Sequence, residues 1–359
     1  MKVRDMLKKI YFSLRALILY LLPSKSADSS IPAQDIRSIL VIRIDRIGDL
    51  VVSLPALKAL KENFPQAKIS VLVRCGNEAL LKNFSWIGEV IIYRGFGRAV
   101  KQLRQKHFDL VVDFLMDYPL ETALLAYLSQ ARLTAGFNIE SRGRLFAIGI
   151  NPDPEKKHVS LYILDLVGEI ARAISGKAVR LTPAYPEIIL PQQDKQETMS
   201  FLKNHGIGES GPLVGIHPGG HYPSQRWPVE RFSQLADRII KRHKARVVVV
   251  GSAADEALVE TMAGLMSGKA IKAVGLRLDK LAALISLMNI FICNNSGPLH
   301  IACLVKTATV STMGPTDPVL WKPPGDGHTV LRHGSSLESI SVEEMERAVD
   351  ARLSGITAE

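Results

Sequence analysis

The sequence predicts two facing, doubly wound α/β domains behind a basic, apolar N-terminal helix. Three observations lead there. From Ile36 onward, continuous β-branched runs alternate with segments of helical period; the alternation restarts after a proline-rich stretch at 182–195; and 359 residues, at roughly 100–200 per domain, make room for two domains. Apolar residues are 47% and charged residues 22% of the chain, the composition of a folded globular protein rather than a disordered or fibrous one. The three cysteines, Cys75, Cys293 and Cys303, form no C-x-x-C pair, which excludes a disulfide scaffold or a cysteine zinc site and fits a reducing compartment. The expected divisions are a leader and linker over 1–35, a first domain over 36–185 and a second over 186–359.

The leader carries much of the charge. The chain holds 45 Lys+Arg against 35 Asp+Glu, a formal +10, and residues 1–25 supply Lys2, Arg4, Lys8, Lys9, Arg15 and Lys25 against Asp5 alone, a net of +5. The rest is therefore only mildly basic, and no aromatic-basic nucleic-acid platform stands out in it. The apolar stretch Ile10–Leu22 is broken by Arg15, too short to span a bilayer and a poor match to a signal peptide. An interfacial helix on an anionic membrane fits better. The bland alternative is a helix packed on its own protein or a neighbouring subunit.

The first domain reads strand SILVIRI (38–44), a helix marked by Leu50, Leu54, Leu57 and Phe64, then strands at 68–73, 90–93 and 108–114. After the linker come strand 212–218, helix 228–243, strand 246–251, helix 254–266, strand 270–274, helix 278–288, strand 289–294, helix 297–304 and strand 307–313, with a last helix at 341–353. Unbroken apolar strands alternating with helices indicate parallel sheets covered on both faces. Ligands of such sheets lie beyond the carboxyl ends of the strands, so the expected site is a cleft between the two halves.

Three strand-end loops carry candidate chemistry. In Arg43-Ile44-Asp45-Arg46-Ile47-Gly48-Asp49, Gly48 would make a tight turn, with Arg46 nearby, and Asp49 would sit where the helix dipole favours a carboxylate. That local pattern reads first as helix stabilisation and second as a general base. In GIHPGGHYPSQRWPVERF (215–232), Gly219 and Gly220 would allow close backbone approach and Arg226 would bring a cation to a helix start, features suited to a diphosphate. His217 and His221 straddle a Pro-Gly-Gly turn, which does not suit a metal pair. In CNNSGPLHIACL (293–304), Asn295 and Ser296 could cap, Gly297 allows close approach, and His300, one turn in, could reach a ligand at the helix mouth. Neither G-x-G-x-x-G nor a phosphate loop of the GxxxxGK[ST] kind occurs, so hydride transfer and ATP hydrolysis gain no support.

Three blocks, ILVIRIDRIGDLVVSLPALKAL, GIHPGGHYPSQRWPVERFSQLA and NNSGPLHIACL with GPTDP downstream, together resemble glycosyltransferase family 9, the lipopolysaccharide heptosyltransferases, over roughly 36–350. The resemblance implies two Rossmann-like domains of the glycosyltransferase B type. It implies transfer of a heptose from ADP-heptose to a lipopolysaccharide core or related lipid-linked saccharide, with inversion and without a metal or other cofactor. It makes Asp49 the base, puts Gly219, Gly220, Arg226, Asn295, Ser296, Gly297 and His300 around the donor, and leaves Arg46, Gly48 and Asp113 on the acceptor side. It implies a cytoplasmic enzyme peripheral to the inner face of the membrane. The chain departs from the family pattern at Gln225 and Asn295, where Lys and Asp are common, and in Asp113-Phe114-Leu115-Met116, where the family often has Asp-Leu-Gln-Gly. Two other readings are a different sugar-nucleotide enzyme of this architecture, such as an epimerase, and a non-catalytic nucleotide-sugar binder. The first needs further cleft carboxylates; the second leaves Asp49 without a task.

Overall fold

In the computed structural model the described residues are 2–24, 32–117, 119–176, 179, 181–205 and 211–356; the side chains of 2–9, 18, 355 and 356 lie outside them. Of the leader's charges, those of Lys2, Arg4, Asp5, Lys8, Lys9 and Lys25 therefore fall outside the described side chains. The chain divides into two compact units, Met1–Pro186 and Glu187–Glu359. The described residues from 181 to 191 form neither helix nor strand, and helix Gln192–Asn204 takes up the end of the stretch read as linker.

In the first unit the strands are β1 (Ser38–Arg43), β2 (Lys68–Arg74), β3 (Ile87–Tyr93), β4 (Leu110–Asp113), β5 (Leu133–Phe137) and β6 (Ile148–Ile150). They form one parallel sheet in the order β3-β2-β1-β4-β5-β6. β1 lies inside the sheet, and burial of everything after Ser38 explains its unbroken apolar run. Helix Ile47–Asn63 is apolar on nearly every side because it packs against both the sheet and helix Val159–Ser175.

The second unit repeats this wiring with β7 (Leu213–His217), β8 (Arg246–Gly251), β9 (Ala270–Val274), β10 (Ile290–Asn294), β11 (Ala308–Thr312) and β12 (His328–Leu331). The order β12-β11-β10-β7-β8-β9 is again wholly parallel. In each unit the strand order reverses next to the first strand, at β1/β4 and at β7/β10. Chains leaving those two strands diverge, which opens a crevice at their carboxyl ends.

Helix Lys2–Tyr20 packs on the short turn Arg142–Leu145 of the first unit. Leu19 and Arg15 are buried, Arg144 lies 4.4 Å from the Tyr20 ring, and the Tyr127 hydroxyl donates to the Pro23 carbonyl. The opposite side carries Ile10, Leu14, Leu17 and Leu21, a helical stripe running from 49% to 78% exposed. Among the described residues, no helix is long and apolar enough to cross a membrane.

The first unit also encloses an ion pair with neither partner exposed. Asp113, at the end of β4, is completely buried against Arg142, itself without exposure. Asp113 Oδ1 accepts from Leu115 N at 2.9 Å and Oδ2 from Arg142, which also donates to the carbonyls of Leu115 and Asp117 and to Thr122 Oγ1. The pair fixes the loop leaving β4. Removing the cation should strand a buried carboxylate, so Arg142→Met is expected to cost about 3–5 kcal/mol in urea unfolding, part of it recovered by adding Asp113→Asn. A single-mutant loss below about 1 kcal/mol would contradict this account of the pair.

Candidate functional site

At the β1/β4 switch point the central group is Arg43, buried at the last position of β1. Its Nε and Nη2 donate to the Asp49 carbonyl at 3.0 and 2.9 Å, and Nη1 donates to the Phe114 carbonyl at 2.9 Å. The same guanidinium lies 3.1 Å from Asp45 Oδ2 and 3.8 Å from Asp49 Oδ1. Helix Ile47–Asn63 starts after Arg46, so Asp49 falls in its first turn, where unbonded N–H groups and the helix dipole favour an anion. The Asp49 side chain is 25% exposed, an ionisable group reachable from solvent yet held from behind. Burial pushes the Asp45 carboxyl up to about 6; Arg43 pulls it down and Asp49 pushes it further up.

The other acceptor-side expectations fare differently. Arg46 is exposed beside the helix start. Gly48 lies inside the first helical turn and takes no left-handed φ, so it makes no tight turn; the chain bends at 44–46 instead. Asp113 is enclosed with both oxygens engaged, and burial drives its carboxyl upward against the pull of Arg142. It orders the β4 loop rather than facing an acceptor.

At the β7/β10 switch point the organiser is neutral. Asn294 is fully buried at the end of β10; its Nδ2 donates to the carbonyls of Pro218 and Gly219 at 2.9 and 3.0 Å, and its Oδ1 accepts from Trp227 N and Thr312 Oγ1, both at 2.8 Å. One amide thus joins the ends of β7, β10 and β11 to the helix beginning at Val229, with every donor and acceptor satisfied. Around it, His217 Nδ1 lies 3.3 Å from Ser296 Oγ, His217 Nε2 3.9 Å from Asp255 Oδ2, and Arg226 Nη2 4.0 Å from Asp255 Oδ1. His217 holds the Asp255 carboxyl well below the ordinary range, against the cost of burial and with help from Ser252. A Cβ on Gly219 would come within 2.9 Å of both His217 and Asp255, so glycine here admits those side chains. Gly220 meets no such limit; its carbonyl receives Arg226 Nε at 2.8 Å.

Helix Gly297–Leu304 starts where expected, with Asn295 and Ser296 just ahead of it. Ser296 occupies the N-cap position without capping, because its hydroxyl turns to His217. The Asn295 backbone N–H is bonded to the Thr312 carbonyl. His300 is 2% exposed and edge-on to Trp321, with ring centroids 6.0 Å apart. Among the described residues no group of three or more His, Cys, Asp or Glu side chains is arranged to hold a metal ion.

Two units, each a six-stranded parallel sheet of the same topology, are the architecture of glycosyltransferases of the B type. The chain belongs to glycosyltransferase family 9 (heptosyltransferase), whose family model matches residues 96–348. It is 26% identical to lipopolysaccharide heptosyltransferase 2 of Salmonella typhimurium over 312 residues, 82% of this chain and 87% of that protein. With lipopolysaccharide heptosyltransferase 3 of Escherichia coli the figures are 25% over 294 residues, 77% and 82%. The solved structure of E. coli ADP-heptose LPS heptosyltransferase II matches with a TM-score of 0.78 at 22% identity, covering 89% of this chain and 99% of that one. A glycosyltransferase family 9 structure from Veillonella parvula matches at 0.77 and 21%, covering 90% and 99%.

The organising role of Asn294 has a one-atom test. Asn294→Asp would turn a carboxylate oxygen towards two carbonyl oxygens. Above the carboxyl's titration range it should cost about 3 kcal/mol or more, and less at pH 4, where a protonated Asp can still donate once. Thermal unfolding across that pH range checks the sign. A small, pH-independent change would contradict it.

Proposed function

We propose that this glycosyltransferase moves a heptose from ADP-heptose onto a lipopolysaccharide core or a related lipid-linked saccharide, inverting the anomeric centre, with Asp49 as the base. The observation that carries this reading is the Asp49 carboxylate: partly open to solvent, set on a helix N-terminus, its backbone pinned by a buried guanidinium. The names of the relatives supply the sugar and the acceptor; the residues supply the chemistry. Asp49 takes the proton of the acceptor hydroxyl as that oxygen bonds to the anomeric carbon. The bond from that carbon to the diphosphate oxygen breaks, and ADP leaves with the electron pair. Gly219, Gly220, Arg226, Asn295, Ser296 and Gly297 would line the donor side, where helix N–H groups and Arg226 suit a diphosphate. Gln225 brings no charge of its own, so Arg226 carries that task, and the chemistry calls for no metal or other cofactor.

The helix Lys2–Tyr20 fits the surface of an anionic membrane: one side docks on the protein, and the other exposes an apolar stripe in a stretch whose sequence is basic. This would hold the enzyme peripherally at the inner, cytoplasmic face, beside a lipid-linked acceptor. Nucleic acid has no part in the reading.

ADP release from ADP-heptose with deacylated lipopolysaccharide core as acceptor tests the assignment. Asp49→Asn should lower kcat by about 10²–10⁴-fold while ADP affinity is kept. Turnover equal to that of the unaltered enzyme would remove Asp49 as the base. For the helix, Leu14→Ser with Leu17→Ser should weaken sedimentation with phosphatidylglycerol vesicles, and undiminished binding would make it a packing element only.

A further inference from the structure

Asp45 has no task in the reaction as written, yet it is set in the same array as Asp49. It follows the end of β1, its side chain is only 19% exposed, and its Oδ2 lies 3.1 Å from the Arg43 guanidinium. Its Oδ1 is buried without a hydrogen-bond partner. The groups facing it are Arg43 from β1, Asp49 from the helix after it and Asp113 from β4, and the Asn77 amide donates to its carbonyl from the turn before helix Glu78–Leu81. One guanidinium therefore serves two carboxylates, and Arg43 Nη2 is also 3.8 Å from Asp49 Oδ1.

We propose that Asp45 is a positioning residue that shares the charge of Arg43 with Asp49 and thereby keeps the Asp49 carboxylate basic. The proposal rests on Asp49 being the base. When Asp45 is ionised, it offsets the cation, and Asp49 retains its appetite for the acceptor proton. When Asp45 is neutral, the whole charge of Arg43 falls on Asp49, which becomes a weaker base. Its ionisation near pH 6 puts that change within an assayable range. The rate should therefore fall as the pH drops through that region.

The test is the pH profile of kcat in the full-length enzyme with ADP-heptose and a deacylated core. Asp45→Asn should lower kcat at pH 8 by roughly three- to tenfold with KM for the donor unchanged, and move the acid limb down by about one pH unit. Asp45→Glu, which keeps the charge, should retain the limb of the unaltered enzyme; Asp45→Ser, which removes it differently, should shift as Asn does. A proportionate loss with the acid limb in place, or an unchanged kcat, overturns the proposal. An inactive Asp49→Asn beside an unshifted Asp45→Asn profile removes the Asp45 role alone. An active Asp49→Asn removes the base and this role with it.

Discussion

The β1/β4 switch point depends on one buried cation. The Arg43 guanidinium joins β1, the loop after β4 and the first turn of the following helix, the three segments that diverge at the switch point. A charge in that position is tolerable only because carbonyls and two carboxylates surround it. Lysine could not replace it, since a single ammonium lacks the planar fork that reaches Asp49 and Phe114 together. The position of Asp49 is thus set by its own backbone, held from inside the sheet, and its side chain stays available to solvent.

The second unit meets the same topological demand with an amide. Asn294 ties four segments with no net charge, leaving the nearby charges of His217, Asp255 and Arg226 to answer one another around the Gly219 turn. The contrast matches the chemistry proposed for each unit. A base needs a cation behind it to fix its place and a second anion to temper that cation. A diphosphate site needs N–H groups and a positive charge, and an anionic organiser at its centre would oppose them.

Much of the architecture was legible in the sequence because parallel strands buried on both faces leave long apolar runs. SILVIR and RVVVVG are plain examples. The strands β5 (LTAGF), β6 (IGI) and β12 (HTVL) are less legible, because each is short and Gly, Ala or an end His keeps it from forming a long apolar run. In the site, Asp49 and Ser296 stood out because each sits at a turn before or within a helix start. Arg43, Asn294 and Asp255 are less legible, because part of what each holds lies far along the chain: Arg43 bonds to Phe114 across 71 residues, Asn294 to Trp227 across 67, and Asp255 faces His217. For Arg43 and Asn294 the local signal is a polar residue at the end of a buried apolar strand.

The central claim is that one carboxylate, held by Arg43, deprotonates the acceptor for a direct displacement. A single in-line displacement has to invert the sugar. The most direct measurement is therefore the anomeric configuration of the newly transferred heptose, read by NMR of the product against the ADP-heptose supplied. The account predicts the opposite configuration to that of the donor. Retention would contradict it, because retention requires a second displacement for which Asp49 as a lone base makes no provision.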